Sequence, residues 1–232
     1  MQLTRIRSLT ARLTLETGLH IGAGDTEMHI GGTDNAVVKH PITNRPYIPG
    51  SSLKGKMRSL LEWKSGAVKP EPLGYKDYTG AQGPAREQID AIVRLFGVSG
   101  GDQLDEQQAN EIGPTRLAFW DCDLAADWVK GVESSNQMLT EVKSENRIDR
   151  IRGVAEHPRN TERVPAGAEF DFRLSLKVLD GEDLLATVLA GLRLIELDSL
   201  GGSGSRGYGK VKFNDLRIDG ETVSLPQDPF AA

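Results

Sequence analysis

Two stretches of the chain alternate apolar and polar residues with period two. In the first, residues 6 to 17, Leu9, Ala11, Leu13 and Leu15 face one way, with Arg12, Thr14 and Glu16 between them. In the second, Phe170, Phe172, Leu174, Leu176 and Val178 alternate with Asp171, Arg173, Ser175 and Lys177. Each pattern predicts a half-buried strand. Further strands are expected over Thr115–Cys122 and from Lys210 to about Ile218, after which the tail should fray.

Helical spacing appears in three places. Leu53, Met57, Leu60 and Leu61 form one stripe, and Ile89, Ile92, Val93 and Phe96 a second, stopped by Gly97. Leu184, Leu185, Val188, Leu189, Leu192 and Ile195 form a third over about 182–197. Residues 65–84 read as a polar turn and 99–114 as polar loop. The segment 125–165 reads as a protruding insertion, a hairpin. Without these insertions the order is β-α-β-β-α-β, an α+β, ferredoxin-like or RRM-like core with an antiparallel sheet. That core hosts many functions and decides none.

Charge changes the picture. The 232 residues carry a formal net charge of −5, yet no acidic residue occurs from Asn35 to Leu61, where Lys39, Arg45, Lys54, Lys56 and Arg58 are basic. None occurs between Ser199 and Phe213 either, where Arg206 and Lys210 flank a glycine-rich run. Lys143, Arg147, Arg150, Arg152, Arg159 and Arg163 crowd the 125–165 insertion. Two glycine-rich, acid-free basic segments in one small fold favour a phosphate-bearing partner over a merely solvated face. In the first, Ser51 or Ser52 is expected to cap the helix, with Lys54 and Arg58 sharing a polar face.

Two nucleotide motifs fail on context. Gly50 to Lys56 has P-loop spacing, but Met57 stands where a magnesium-binding hydroxyl is needed. Gly202–Gly207 matches GxGxxG but follows a helix and precedes a strand, the reverse of a Rossmann turn. The single cysteine, Cys122, excludes an internal disulfide or a cysteine-based zinc site and reads as a buried, inert thiol. The N-terminus lacks the apolar core of a signal peptide, so a cytoplasmic protein is expected. On composition Asp34 is a turn residue, and His20 is a phosphate or base contact or a structural histidine. No nucleophile–histidine–carboxylate arrangement emerges from spacing.

Several motifs, taken together, are similar to a known family. Thr17–Gly22, Gly31–Asn35, Tyr47–Gly55 and Gly202–Gly209 resemble the RAMP superfamily of CRISPR proteins. Glu145–Arg150, Pro158-Arg159 and Glu162–Pro165 narrow the likeness to the backbone subunits of type III-A effectors, the Csm complexes. The resemblance spans essentially the whole chain and implies a single RAMP domain over 1–232. Within it would lie a glycine-rich catalytic loop at 18–50, a helical insertion at 65–114 and a thumb at 125–166. It implies a subunit that stacks with further copies of itself along a CRISPR guide RNA, beside other Csm subunits. The thumb would splay the guide–target duplex, and complementary target RNA would be cut at regular intervals with a divalent metal, Mg2+ or Mn2+. Asp34 matches the family's essential loop aspartate; at Ala23 and Asp25 the loop departs from the family's usual glycines and acids. RNA-binding positions map onto His20, Ser51, Ser52, Lys54, Arg58, Gly202, Gly204 and Arg206, with Arg147, Arg150 and Arg159 on the thumb. A non-catalytic guide-RNA scaffold is the alternative. An unrelated metabolic enzyme would need a pocket constellation that the sequence does not show.

Overall fold

The computed structural model describes residues 1–24, 35–98 and 103–231. The first strand, β1 (Leu3–Leu15), is central in a five-stranded sheet. Taking the other elements in chain order, β2 is Tyr47–Ile48, β3 Leu117–Phe119, β4 Cys122–Asp123, β5 Glu141–Ile148 and β6 Ala155–Arg163. β7 is Glu169–Leu179, β8 Val211–Ile218 and β9 Glu221–Thr222. The helices are α1 (Gly50–Ser65), α2 (Tyr75–Gly80), α3 (Pro84–Phe96), α4 (Glu106–Ile112), α5 (Ala126–Ser134) and α6 (Leu185–Leu197).

The sheet order is β3-β7-β1-β8-β9, with every pair antiparallel. Register follows the period-two pattern: Leu9 lies opposite Leu174 and Ile218, and Leu13 opposite Phe170 and Phe213. One face is therefore a continuous apolar layer, each large side chain contributing about 1.5–3 kcal/mol on burial. α1 and α6 close that layer, with Leu53, Met57 and Leu61 meeting Val188, Leu192 and Ile195 in one core. Gly191 makes the approach possible, because a Cβ there would collide with the Met57 side chain. Stripped of insertions, the chain runs β1-α1-β3-β7-α6-β8, the expected β-α-β-β-α-β order.

Several boundaries differ from the sequence expectation, each for a local reason. β1 begins at Leu3, because pairing with the far end of β7 holds it; Gln2 and Asp180 exchange hydrogen bonds there. The expected strand Thr115–Cys122 is split: only Leu117–Phe119 pairs with β7, and Cys122 and Asp123 turn away to pair with β2. The polar turn at 65–84 contains α2, whose Asp77 carboxylate accepts the Gly74 N–H at 2.7 Å. The expected loop at 99–114 contains α4, started by reciprocal bonds between Asp105 and Gln108. Tyr75 and Tyr78 join these two short helices by donating to the Glu111 carboxylate at 2.8 and 2.9 Å. The insertion after β4 holds α5 and the β5–β6 hairpin. The tail does not fray: Val223 and Leu225 lie against the core and Pro229 is buried. Cys122 is fully buried, and burial pushes its thiol up to about 12, so it is inert near neutrality. Among the described residues no helix is long and apolar enough to cross a membrane.

Candidate nucleic-acid interface

Where β1 ends, three distant segments meet. Leu19 and Val164 exchange backbone hydrogen bonds of 2.9 and 2.8 Å, joining the start of the first glycine-rich loop to the end of β6. The second glycine-rich run closes on the same place. Gly202 N–H donates to the His20 carbonyl at 2.9 Å and Gly209 N–H to the Gly18 carbonyl at 3.0 Å. Glycine is required at Gly201 and Gly209, each with φ near +73°. A Cβ at Gly201 would strike the His20 carbonyl, and one at Gly209 the Leu200 carbonyl.

The first loop returns by a short stem. Ala23 N–H donates to Ala36 O at 3.2 Å and Val38 N–H to Ile21 O at 2.8 Å. Asn35 then bridges Thr161 on β6, its carbonyl accepting the Glu162 N–H at 2.9 Å. Asp34, the expected catalytic carboxylate, lies outside the described residues, as does Asp25. The residue after Asp34 is thus anchored to the base of the hairpin.

His20 is half-buried beside Gly202, and its Nδ1 lies 2.7 Å from the Glu162 carbonyl oxygen. A carbonyl can only accept, so this contact places the proton on Nδ1 and leaves Nε2 toward Gly22. Tyr208 locks the second loop to the hairpin. Its hydroxyl donates to Glu145 at 3.0 Å, and Lys143 Nζ and the Arg163 guanidinium lie 4.5 and 5.0 Å from the ring centre. Arg206, exposed, pairs with the same Glu145 at 3.2 Å. Burial raises the Glu145 carboxyl, but the Tyr208 and Lys143 hydrogen bonds and the Arg206 charge outweigh it and hold it below the ordinary range. Glu162 and Tyr208 fall within the family-like motifs and Lys39 within the basic stretch, but the sequence assigns none of them a site role, because their partners lie far away along the chain.

Helix α1 corrects two expectations. Neither Ser51 nor Ser52 caps it: Pro49 is the N-cap, without a side-chain bond, and the serines lie in the first turn. The Gly50 N–H donates to the Asp121 carboxylate at 2.7 Å, so a carboxylate of the chain already takes this N-terminal group. Lys54 and Arg58 do not share an open face. Arg58 turns inward, donating to Glu62 at 2.8 Å and to the Leu73 carbonyl at 2.7 Å, with its side chain 13% exposed. Lys54 stays partly exposed, with no ion pair among the described residues. One turn from Ser52, Lys56 pairs with Asp198 at 2.6 Å, directly before the second glycine-rich run. Gly202 is exposed and Gly204 half-buried in that run.

The hairpin carries the remaining cations. Arg147, Arg150 and Arg159 are exposed and form no ion pair among the described residues. Arg159 lies opposite Glu145, and Arg147 opposite Glu156 across a bulge. Ile148, Ile151 and Val154 are exposed at the tip. The Asp149 carboxylate organises the turn by accepting the Ile151 and Arg152 N–H groups at 2.9 and 2.7 Å. A solvent-facing cationic and apolar hairpin, rooted beside two glycine-rich loops, suits phosphates and unstacked bases. Among the described residues no three His, Cys, Asp or Glu side chains group to hold a metal ion.

Comparison with known proteins gives the family. Residues 12–212 match the RAMP superfamily. The "CRISPR system Cms endoribonuclease Csm3" of Streptococcus thermophilus is 44% identical over 216 residues, covering 90% of this chain and 87% of that protein. The like-named protein of Methanothermobacter thermautotrophicus is 40% identical over 226 residues, covering 90% of this chain and 84% of that one. A Csm3–Csm4 subcomplex of the type III-A CRISPR-Cas interference complex contains a similar fold, with TM-score 0.56, 28% identity, and coverage of 94% of this chain and 80% of that one. The chain therefore belongs to the RAMP superfamily, in the Csm3 family of CRISPR proteins.

Proposed function

We propose that the chain is the guide-RNA-bound backbone subunit of a cytoplasmic type III-A effector and cleaves complementary target RNA through Asp34. The observation that carries this reading is the junction itself. The chain leaving Asp34, His20, the second glycine-rich loop and the root of the cationic hairpin all meet at the end of β1. Guide phosphates are received by Lys54, Arg206 and the backbone around exposed Gly202 and half-buried Gly204, with Ser51 and Ser52 beside them. The hairpin presents Arg147, Arg150 and Arg159 to the guide–target duplex, and Ile148 and Ile151 wedge against an unstacked base. Further copies of the chain and other Csm subunits complete the assembly.

Cleavage requires a 2′-hydroxyl in line with the adjacent phosphate, a geometry that a regular duplex forbids. A hairpin that breaks the stack supplies it. Asp34 accepts the hydroxyl proton as the O2′–P bond forms, the P–O5′ bond breaks and the departing 5′-oxygen takes a proton from water, an acid–base role worth roughly 10²–10⁴-fold. A single carboxylate donor suits a hydrated Mg2+ or Mn2+ completed by water and RNA oxygens, and Asp34 would hold it. Such an ion would supply charge neutralisation at the reacting phosphate.

The test is an effector reconstituted with guide and complementary RNA, with Mg2+ or chelator. Asp34→Ala should remove regularly spaced cuts, a loss of at least about 10²-fold, while assembly and target binding persist. Loss of assembly in that variant would make Asp34 structural and defeat the proposal.

A further inference from the structure

Three features have no part in the cleavage chemistry: the apolar groove between α1, α3, α6 and the tail, the aspartate-rich outer face of the sheet, and the buried carboxylates. The first two show no feature that identifies an occupant. The third does point to a role. Glu162 is 7% exposed on a hairpin whose other side chains mostly face solvent. Its carboxylate accepts the Val37 N–H at 3.0 Å, Lys39 Nζ at 2.6 Å and Thr140 Oγ1 at 2.8 Å. Its own N–H donates to Asn35 O at 2.9 Å, and its carbonyl receives His20 Nδ1–H at 2.7 Å. One residue thus holds the limb returning from the first loop, the chain entering the hairpin, and His20.

A buried carboxylate is costly unless fully bonded, and an apolar side chain would fill the same space more cheaply. Packing alone therefore does not account for it. Asn35, Val37 and Lys39, on the limb that follows Asp34 in the sequence, are all bonded through Glu162 to the root of the hairpin. We propose that Glu162 is a positioning residue that holds residues 35–39, the limb following Asp34 in the sequence, in register with the hairpin root. This rests on the cleavage role proposed for Asp34. Glu162 touches no reacting atom; it acts through Asn35, Val37, Lys39 and His20.

The experiment compares Glu162→Gln, Thr140→Val and Asp34→Ala in the reconstituted complex with guide RNA, complementary target RNA and Mg2+. Measured are single-turnover cleavage at saturating target, cut position, and target affinity. Glu162→Gln should slow cleavage roughly 10- to 100-fold and spread the cut positions, with target affinity changed by less than about twofold. Thr140→Val, which removes one hydrogen bond at constant shape, should act in the same direction by a smaller factor and decides the case if Glu162→Gln fails to assemble. Wild-type rate and cut position in Glu162→Gln, or in an assembled Thr140→Val where that variant decides, overturn the inference. So does a rate loss matched by an equal loss of affinity. Asp34→Ala separates the two claims. If it cuts normally, the proposed function falls; if it is inactive while Glu162→Gln is fully active, only the positioning role falls.

Discussion

Arg58 and Lys54 sit one turn apart on α1, and the structure gives them opposite tasks. The Arg58 guanidinium is bound to Glu62, which is 5% exposed and also accepts the Leu73 N–H at 3.1 Å. Arg58→Ala would leave that carboxylate buried without its counter-charge, at about 3–5 kcal/mol, and thermal melting should show it. Lys54→Ala should leave the melting temperature within error and lower the salt slope of guide binding by roughly 0.7–0.9. An unchanged slope would remove Lys54 from the interface. The sequence could show that both residues are basic and helical. It could not show the inward turn of Arg58, because Leu73 lies in a loop 15 residues away.

At the scale of elements, strands and long helices were legible because their signals are local: alternation in β7, stripes in α1, α3 and α6. The short helices α2 and α4 were not. Their stripes span too few residues, and side-chain bonds from Asp77, Asp105 and Gln108 stabilise them instead. The second glycine-rich run was visible as composition, but its closure on His20 was not, since those segments meet only through the sheet. Its tightest point provides a test. Gly209→Ala places a Cβ against the Leu200 carbonyl in a left-handed backbone region. It should destabilise the fold by more than ~1 kcal/mol and weaken guide binding, measured by melting and filter binding. Gly207→Ala, with the same backbone sign but open space around it, should bear only the conformational cost.

For the whole molecule, the acid limit of stability is set by carboxylates that join distant parts. Burial raises the Glu162 carboxyl, but Lys39, the Val37 N–H and Thr140 outweigh it, so its value falls below the ordinary 4.5. Asp219 is held below 3.8, first by the Ser8 N–H, then by Arg7 and Arg5. Groups depressed in the folded state contribute fully above their unfolded values and lose that contribution as pH falls through the folded ones. Melting temperature should therefore stay level through neutrality and drop below pH about 4.5. Glu162→Gln should flatten the upper part of that drop. Such cross-links were illegible in the sequence: Glu162 and His20 are 142 positions apart, and buried Arg116 and its partner Glu182 are 66 apart. The candidate site followed the same rule. Its residue types were readable, while their convergence depended on contacts that no local pattern encodes.

The β5–β6 hairpin forms a two-stranded sheet of its own, and among the described residues it is joined to the body toward its root. An isolated hairpin is marginal in water, so most of its order is borrowed from Tyr208, Glu162 and the Leu19–Val164 bridge. Opening free energy should therefore grade along its length, near the global value at Thr161 and small around Ile151. The distal half can bend or fray while the root stays closed. An RNA that clasps the tip would then be selecting among shapes of one short ribbon, without disturbing the sheet that carries it.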